Sequence, residues 1–220
     1  MFETQAGLPD NFDGKVKLFP LPNLVLFPGN IQPLHIFESR YREMFEDALA
    51  GDQLIAMATL LPGFENEYHS RPGIDEAVCI GRIVRHRKRE DGTYDLLLAG
   101  LSRAIIREEL PPVHAYREAT VRVIEETLES PSQQGEIGKQ LLDRFRVIAP
   151  EAGKLLDAFD SGELTMSHFV DVMAFSYPFE LELELRLLAE PSATERARMM
   201  LDNLPTESTS TGQPPPFSMN

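Results

Sequence analysis

Residues 18–41, LFPLPNLVLFPGNIQPLHIFESRY, combine the residues that build β-strands with the residue that breaks them. Leu, Val, Ile and Phe dominate, yet Pro20, Pro22, Pro28 and Pro33 interrupt the run. Each proline fixes φ and removes a backbone donor, so one long central strand is excluded. The stretch is expected to divide into short edge or bent strands at 18–19, 24–27 and 34–37, with Pro28-Gly29 turning a corner. A chain built from such pieces folds around a bent sheet.

The period then changes. In ESRYREMFEDALAGD, Tyr41, Met44, Phe45, Ala48 and Leu49 recur at i, i+3, i+4, i+7 and i+8, one apolar stripe on a helix. Glu38 or Ser39 can cap its start, and Gly51 is expected to end it in a left-handed conformation. LIAMATLLP reads as a buried strand, and residues 62–76 as a loop. The next run, 77–110, reads as a hairpin followed by a third strand. Asp91-Gly92 signals the hairpin turn, and Gly100 signals a bulge or tight corner. Pro111-Pro112 makes a turn before a last strand in YREATVRVIEE. Residues 15–126 are thus a β-rich domain with one helix, preceded by a loose leader at 1–14.

Residues 127–132, TLESPS, have the composition of a linker, and beyond them the period is helical. EIGKQLLDRFRVIA places Ile137, Leu141, Leu142, Phe145 and Ile148 on one face. LELELRLLAE alternates like a strand, but Glu and Leu are good helix formers, so a helix is expected. Ser192 followed by Glu195 is a capping-box pattern opening the last helix. Residues 127–204 form an α-helical bundle, and 205–220 a polar, proline-rich tail expected to be flexible by itself. The fold class is α+β, a β domain followed by a helical one.

Composition narrows the function. Of 220 residues, 42% are hydrophobic, enough for a proper core. The formal net charge is −14 and both halves are acidic, which argues against nucleic acid as the partner. The single cysteine, Cys79, excludes an intrachain disulfide and a Cys-based zinc site. The N-terminus lacks the basic start and apolar run of a signal peptide, and no apolar run is long enough to span a membrane. A cytoplasmic location is the expectation.

The patterns LFPLPNLVLFPG, PLHIFESRYREM and VCIGRIV…EDGTYDLLLAGLSRAII together resemble the N-terminal, substrate-binding domain of Lon protease, in the form of the free-standing Lon-N-like proteins of bacteria. Those proteins commonly carry PLHIFEPRYR; here Ser39 replaces the proline, which exchanges a fixed first helical residue for an ordinary one. LRLLAEPSATERARMMLDNL, with Arg196, is similar to the end of the same region. The resemblance covers residues 15–204. It implies a PUA-like pseudo-barrel followed by a helical bundle, and a role in binding substrate polypeptide. No GxxxxGK[ST] stretch occurs, so neither an ATPase nor a proteolytic domain is expected, and no cofactor.

Candidate chemistry is sparse. Cys79 with His69 or His86 could pair a nucleophile with a base, but Cys79 lies in the strand-like AVCIGRIV and reads as a small buried residue. None of the five histidines has metal-ligand spacing. His35 is expected to pin the strand-to-helix turn through a hydrogen bond. The basic run Arg82, Arg85, Arg87, Lys88 and Arg89 has no interleaved aromatics and reads as a solvated hairpin tip rather than an RNA site. Glu180, Glu182 and Glu184, with Asp171 and Glu190, read as a solvated acidic face rather than a metal site. The candidate polypeptide-binding residues are Phe64 and Tyr68 of the loop, with Phe27, His35 and Phe37 of the opening stretch. The resemblance favours a non-enzymatic module binding unfolded or apolar polypeptide segments. The other readings are an adaptor for a folded partner, such as a protease or chaperone, and a small hydrolase with an unrecognised His–carboxylate site.

Overall fold

The computed structural model describes residues 7–63 and 71–205. Six strands and six α-helices follow one another among the described residues as β1 (Lys15–Leu21), β2 (Ile31–Ile36), α1 (Ser39–Ala50), β3 (Leu54–Thr59), β4 (Ala77–Lys88), β5 (Tyr94–Glu109), β6 (Arg117–Val123), α2 (Pro131–Ile148), α3 (Gly153–Asp160), α4 (Met166–Ser176), α5 (Leu181–Ala189) and α6 (Ala193–Asn203). The sheet order is β2-β5-β4-β3-β1-β6, and a further pairing of β5 with β6 closes five strands into a barrel. β1 and β3 run parallel; the other pairs are antiparallel. β2 is left outside the closed cycle, bonded only to the first half of β5.

Two of the prolines sit inside strands, which the expected short pieces did not allow. Pro20 is tolerated because β6 pairs with β1 only over Lys15–Leu18, so one side of β1 is already unpaired there. Pro33 is tolerated because β2 is an edge. Gly100 donates its N–H to the Asn30 carbonyl, which aligns the bonding phase of β2 so that residues 32, 34 and 36 face β5 and residues 31, 33 and 35 face outward. The expected strand at 24–27 is instead a loop whose Val25, Leu26 and Phe27 are buried. Pro28-Gly29 does turn the chain, with Gly29 at φ +78.

Gly100 marks a bulge but does not end a strand. β5 runs unbroken through it, so the third strand expected after the hairpin is the second half of β5. A Cβ at Gly100 would lie 2.3 Å from the Phe27 carbonyl oxygen, so only glycine lets the 24–27 loop pack against the bulge. Helix α1 buries Tyr41, Met44, Phe45 and Ala48 as its stripe requires. Its end differs from expectation: Gly51 stays at φ −111, and Gln53, at φ +63, takes the left-handed turn into β3.

The barrel interior is a cluster drawn from all five closed strands, including Leu18, Ala56, Ala58, Val78, Ile80, Ala104 and Ala119. The many alanines fit a narrow lumen. A second, larger cluster lies outside the barrel and continues through α1 into the helical region without a break. α5 lies against β4 and β5 and contributes Leu183, Leu187 and Leu188 to this core. The alternating LELEL segment is therefore a helix, as its propensities require. Ser192 caps α6 by accepting from the Glu195 N–H at 3.0 Å. Among the described residues, no helix is long and apolar enough to cross a membrane.

Candidate functional site

The hairpin β4–β5 and the edge strand β2 frame an open groove of about 700 Å³. Its geometry follows from the turn. Glu90, Asp91 and Gly92 close the hairpin with Gly92 at φ +81 and the Gly92 N–H bonded to the Arg89 carbonyl. Pairing outward from that turn sets Arg87 opposite Asp95, His86 opposite Leu96 and Arg85 opposite Leu97. β2 continues the rows, with His35 opposite Asp95, Leu34 opposite Leu96 and Pro33 opposite Leu97. Leu96 is buried in the larger core, and Leu34 packs against it. Because side chains alternate across a strand, the His35–Asp95–Arg87 and Pro33–Leu97–Arg85 rows share the opposite, open face.

Asp95 organises this face. Its Oδ1 accepts from the His35 Nδ1 at 2.9 Å and from Arg89 at 3.3 Å, and its Oδ2 accepts from Arg87 at 2.8 Å. The Arg87 and His35 hydrogen bonds hold its carboxyl down at about 2, so it is an acceptor only. His35 therefore makes a cross-strand contact, not the turn-pinning bond expected of it. Its ring also stacks on Phe37, with centroids 6.0 Å apart. Phe37 is 62% exposed. Arg85 is exposed and has no hydrogen-bond or ion-pair partner among the described residues.

The sequence candidates are thus divided. His35 and Phe37 stand together at the groove. Phe27 is fully buried and offers no surface to a polypeptide; it belongs to the core, packed beside Gly100. Phe64, Tyr68 and His69 lie outside the described residues. Cys79 is fully buried, and burial pushes its thiol up to about 12, the state of an inert structural cysteine. His86 points toward the core side, its ring 5.7 Å from that of Phe45.

The acidic residues of the helical region do not form one solvated face. Asp171 on α4 is buried and binds Arg103 of β5, and its Oδ1 lies 3.3 Å from the Nε of Arg196 on α6. Burial pushes the Asp171 carboxyl upward while the two guanidinium groups pull it back. Arg196 also reaches Glu126 at 2.7 Å and Ser167 at 2.8 Å. This network joins barrel to helices. Elsewhere Glu43, Asp47 and His114 gather on the surface, where Tyr116 donates to Asp47 at 2.8 Å.

Counting outward from Asp91-Gly92 as a two-residue loop would set Lys88 opposite Asp95; the loop has three residues, 90–92, which shifts the register by one and brings Arg87 there. Arg85, Leu97 and Pro33 needed the bulge at Ile83/Arg85 and the β2 register, which no local pattern encodes.

Comparison with known proteins places this architecture. The family described as the ATP-dependent protease La (LON) substrate-binding domain matches residues 15–205. Lon protease 2 of Myxococcus xanthus is 23% identical over 198 residues, covering 85% of this chain and 23% of that protein. Lon protease 2 of Syntrophobacter fumaroxidans is 29% identical over 122 residues, covering 56% of this chain and 15% of that protein. The chain thus spans under a quarter of the length of these relatives. Among solved structures, the N-terminal domain of the Mycobacterium avium complex Lon protease superposes with a TM-score of 0.66 at 19% identity, covering 86% of this chain and 96% of that one. A Lon N-terminal domain protein from Xanthomonas campestris gives 0.62 at 21% identity, with 87% and 99% covered. At these identities the likeness is one of fold.

Proposed function

We propose, from the premise that this chain belongs to the family of the ATP-dependent protease La (LON) substrate-binding domain, that it is a non-catalytic module binding extended polypeptide in the β2–β5–β4 groove. The observation that carries the reading is the open trough floored by Pro33 and Leu97, with the exposed Phe37 ring stacked on His35 of its lining. Aliphatic and aromatic side chains of a ligand would bury apolar area there at about 25 cal/mol per Å². So small a surface belongs to the weak, transient class of interfaces.

Strand addition to the β2 edge is the weaker route. Of the outward-facing positions 31, 33 and 35, only Ile31 and His35 carry an N–H, and the Gln32 side chain already donates to the Pro33 carbonyl at 2.8 Å. A proline in the middle of an edge blunts it against pairing. The face is better suited than the edge.

Fluorescence anisotropy with labelled, permanently unfolded polypeptides tests the proposal. Saturable binding in the micromolar range is expected, weakened roughly fivefold by Phe37→Ala, a typical effect for an exposed aromatic anchor. Absence of binding at high micromolar protein would overturn it.

A further inference from the structure

Resting on that polypeptide-binding reading, we infer that the groove selects extended segments bearing carboxylates at alternate positions. The inference comes from an imbalance of charge on the open face. Asp95 is the one carboxylate in its two rows, and both of its oxygens are occupied by His35, Arg87 and Arg89. Arg85, two residues from Arg87 on the same face, has no partner among the described residues. The face therefore carries more cations than its own anion satisfies.

The spacing is informative. Arg85 and Arg87 are separated by two strand residues, about 6.6 Å. Side chains i and i+2 of an extended ligand repeat at the same distance, so a segment lying along the trough can offer one carboxylate to each guanidinium. Leu97 and Pro33 stand level with Arg85 on the neighbouring strands, so the methylenes of the ligand side chain that meets Arg85 lie beside an apolar floor. Guanidinium groups are suited to this because their donors match a carboxylate in pairs.

The rest of the molecule sharpens the preference. With a net charge of −14, the chain repels acidic ligands over most of its surface and attracts them at this trough. A long polyanion such as RNA gains less. It must extend beyond the trough past Glu90 and Asp91 at the hairpin tip, and the trough floor is aliphatic rather than a stacking platform.

The test uses the full chain and fluorescein-labelled ten-residue peptides with Glu at two alternate positions. Counterparts carry Gln or Lys in place of Glu, and a ten-nucleotide single-stranded RNA serves as the competing polyanion. The Glu peptide is expected to bind about tenfold more tightly than the Gln peptide, a preference that shrinks as salt rises from about 50 to about 300 mM. Arg85→Gln, at an exposed residue, is expected to remove most of that preference without moving the melting temperature. Equal binding of the Glu and Gln peptides would overturn the selectivity and leave polypeptide binding standing. Failure of every peptide would overturn both. RNA binding tighter than the Glu peptide and lost in Arg85→Gln would overturn the inference in favour of a nucleic-acid groove.

Discussion

Strand β5 carries an arginine–aspartate contact near each end, and burial makes them different interactions. Near its start, Asp95 meets Arg87 with side chains 34% and 74% exposed. Further along, Arg103 meets Asp171 with side chains 7% and 3% exposed. Water screens the first pair, which contributes little to stability. The second pair has lost its hydration, and its attraction chiefly offsets that loss. The same chemistry is thus free to meet a ligand at one end of the strand and committed to assembly at the other. The buried end also leaves the Nε of Arg103 and of Arg196 without a hydrogen bond, so its charges depend on Asp171 and Glu126.

The largest effect should appear when that dependence is broken. Asp171→Ala leaves two buried guanidinium groups short of their shared carboxylate and also removes packing between α4, α6 and the barrel. A loss of about 3–5 kcal/mol is expected, read from the urea midpoint at constant slope. A loss below about 1 kcal/mol would mean that the junction is hydrated in solution and that the contrast between the two ends is false.

These two ends were unequally legible in the sequence. Local patterns disclosed the α1 stripe, the α5 helix, the Ser192 cap and the hairpin turn, because each is decided within a few residues. The hairpin turn also brought Arg87 and Asp95 close together, though the three-residue loop, 90–92, is what sets them directly opposite. Arg103 and Asp171 stand 68 positions apart, and no periodicity joins them. Asp171 therefore read as one acid among several on α4 and α5. The prolines were misjudged for a related reason: Pro20 and Pro33 are allowed in strands because of which neighbours β1 and β2 lack, and neighbours are a property of the sheet. Phe27 suffered the same fate, since its burial follows from the Gly100 bulge packing under the 24–27 loop. The change from strand to helix near residue 127 was legible from composition and period, but the core that runs across it was not, because the apolar stripes on either side carry no mark of each other.

Glu184 on α5 offers an intermediate case, a half-buried carboxyl with no cation near it among the described residues. Burial raises it to about 7 from an ordinary value of 4.5. A raised carboxyl binds a proton more readily in the folded chain than in the unfolded one. Stability is therefore expected to fall as pH rises from about 4.5 through about 7 and to level off above. The site still touches water, so the effect is about 1 kcal/mol rather than the full value of such a shift. Glu184→Gln should gain about that much at pH 8 and flatten the slope across this window, measured by urea unfolding at several pH values. An unchanged slope would show that α5 stands further from β4 and β5 than the buried Leu183 and Leu187 imply.

The smallest effect on stability is expected at the exposed end, where the consequence for binding runs the other way. Asp95→Asn keeps the shape and one acceptor oxygen, for either His35 or Arg87, but removes the one carboxylate of the two open rows. Stability should barely change, since exposed ion pairs contribute little. The freed charges of Arg87 and Arg89 then add to that of Arg85, so an acidic, extended peptide should bind about threefold more tightly, and a Gln counterpart no more tightly than before. Weaker binding of the acidic peptide would show that Asp95 matters chiefly by holding the arginines in place. A stability loss as large as that of Asp171→Ala would erase the distinction between the two ends of β5.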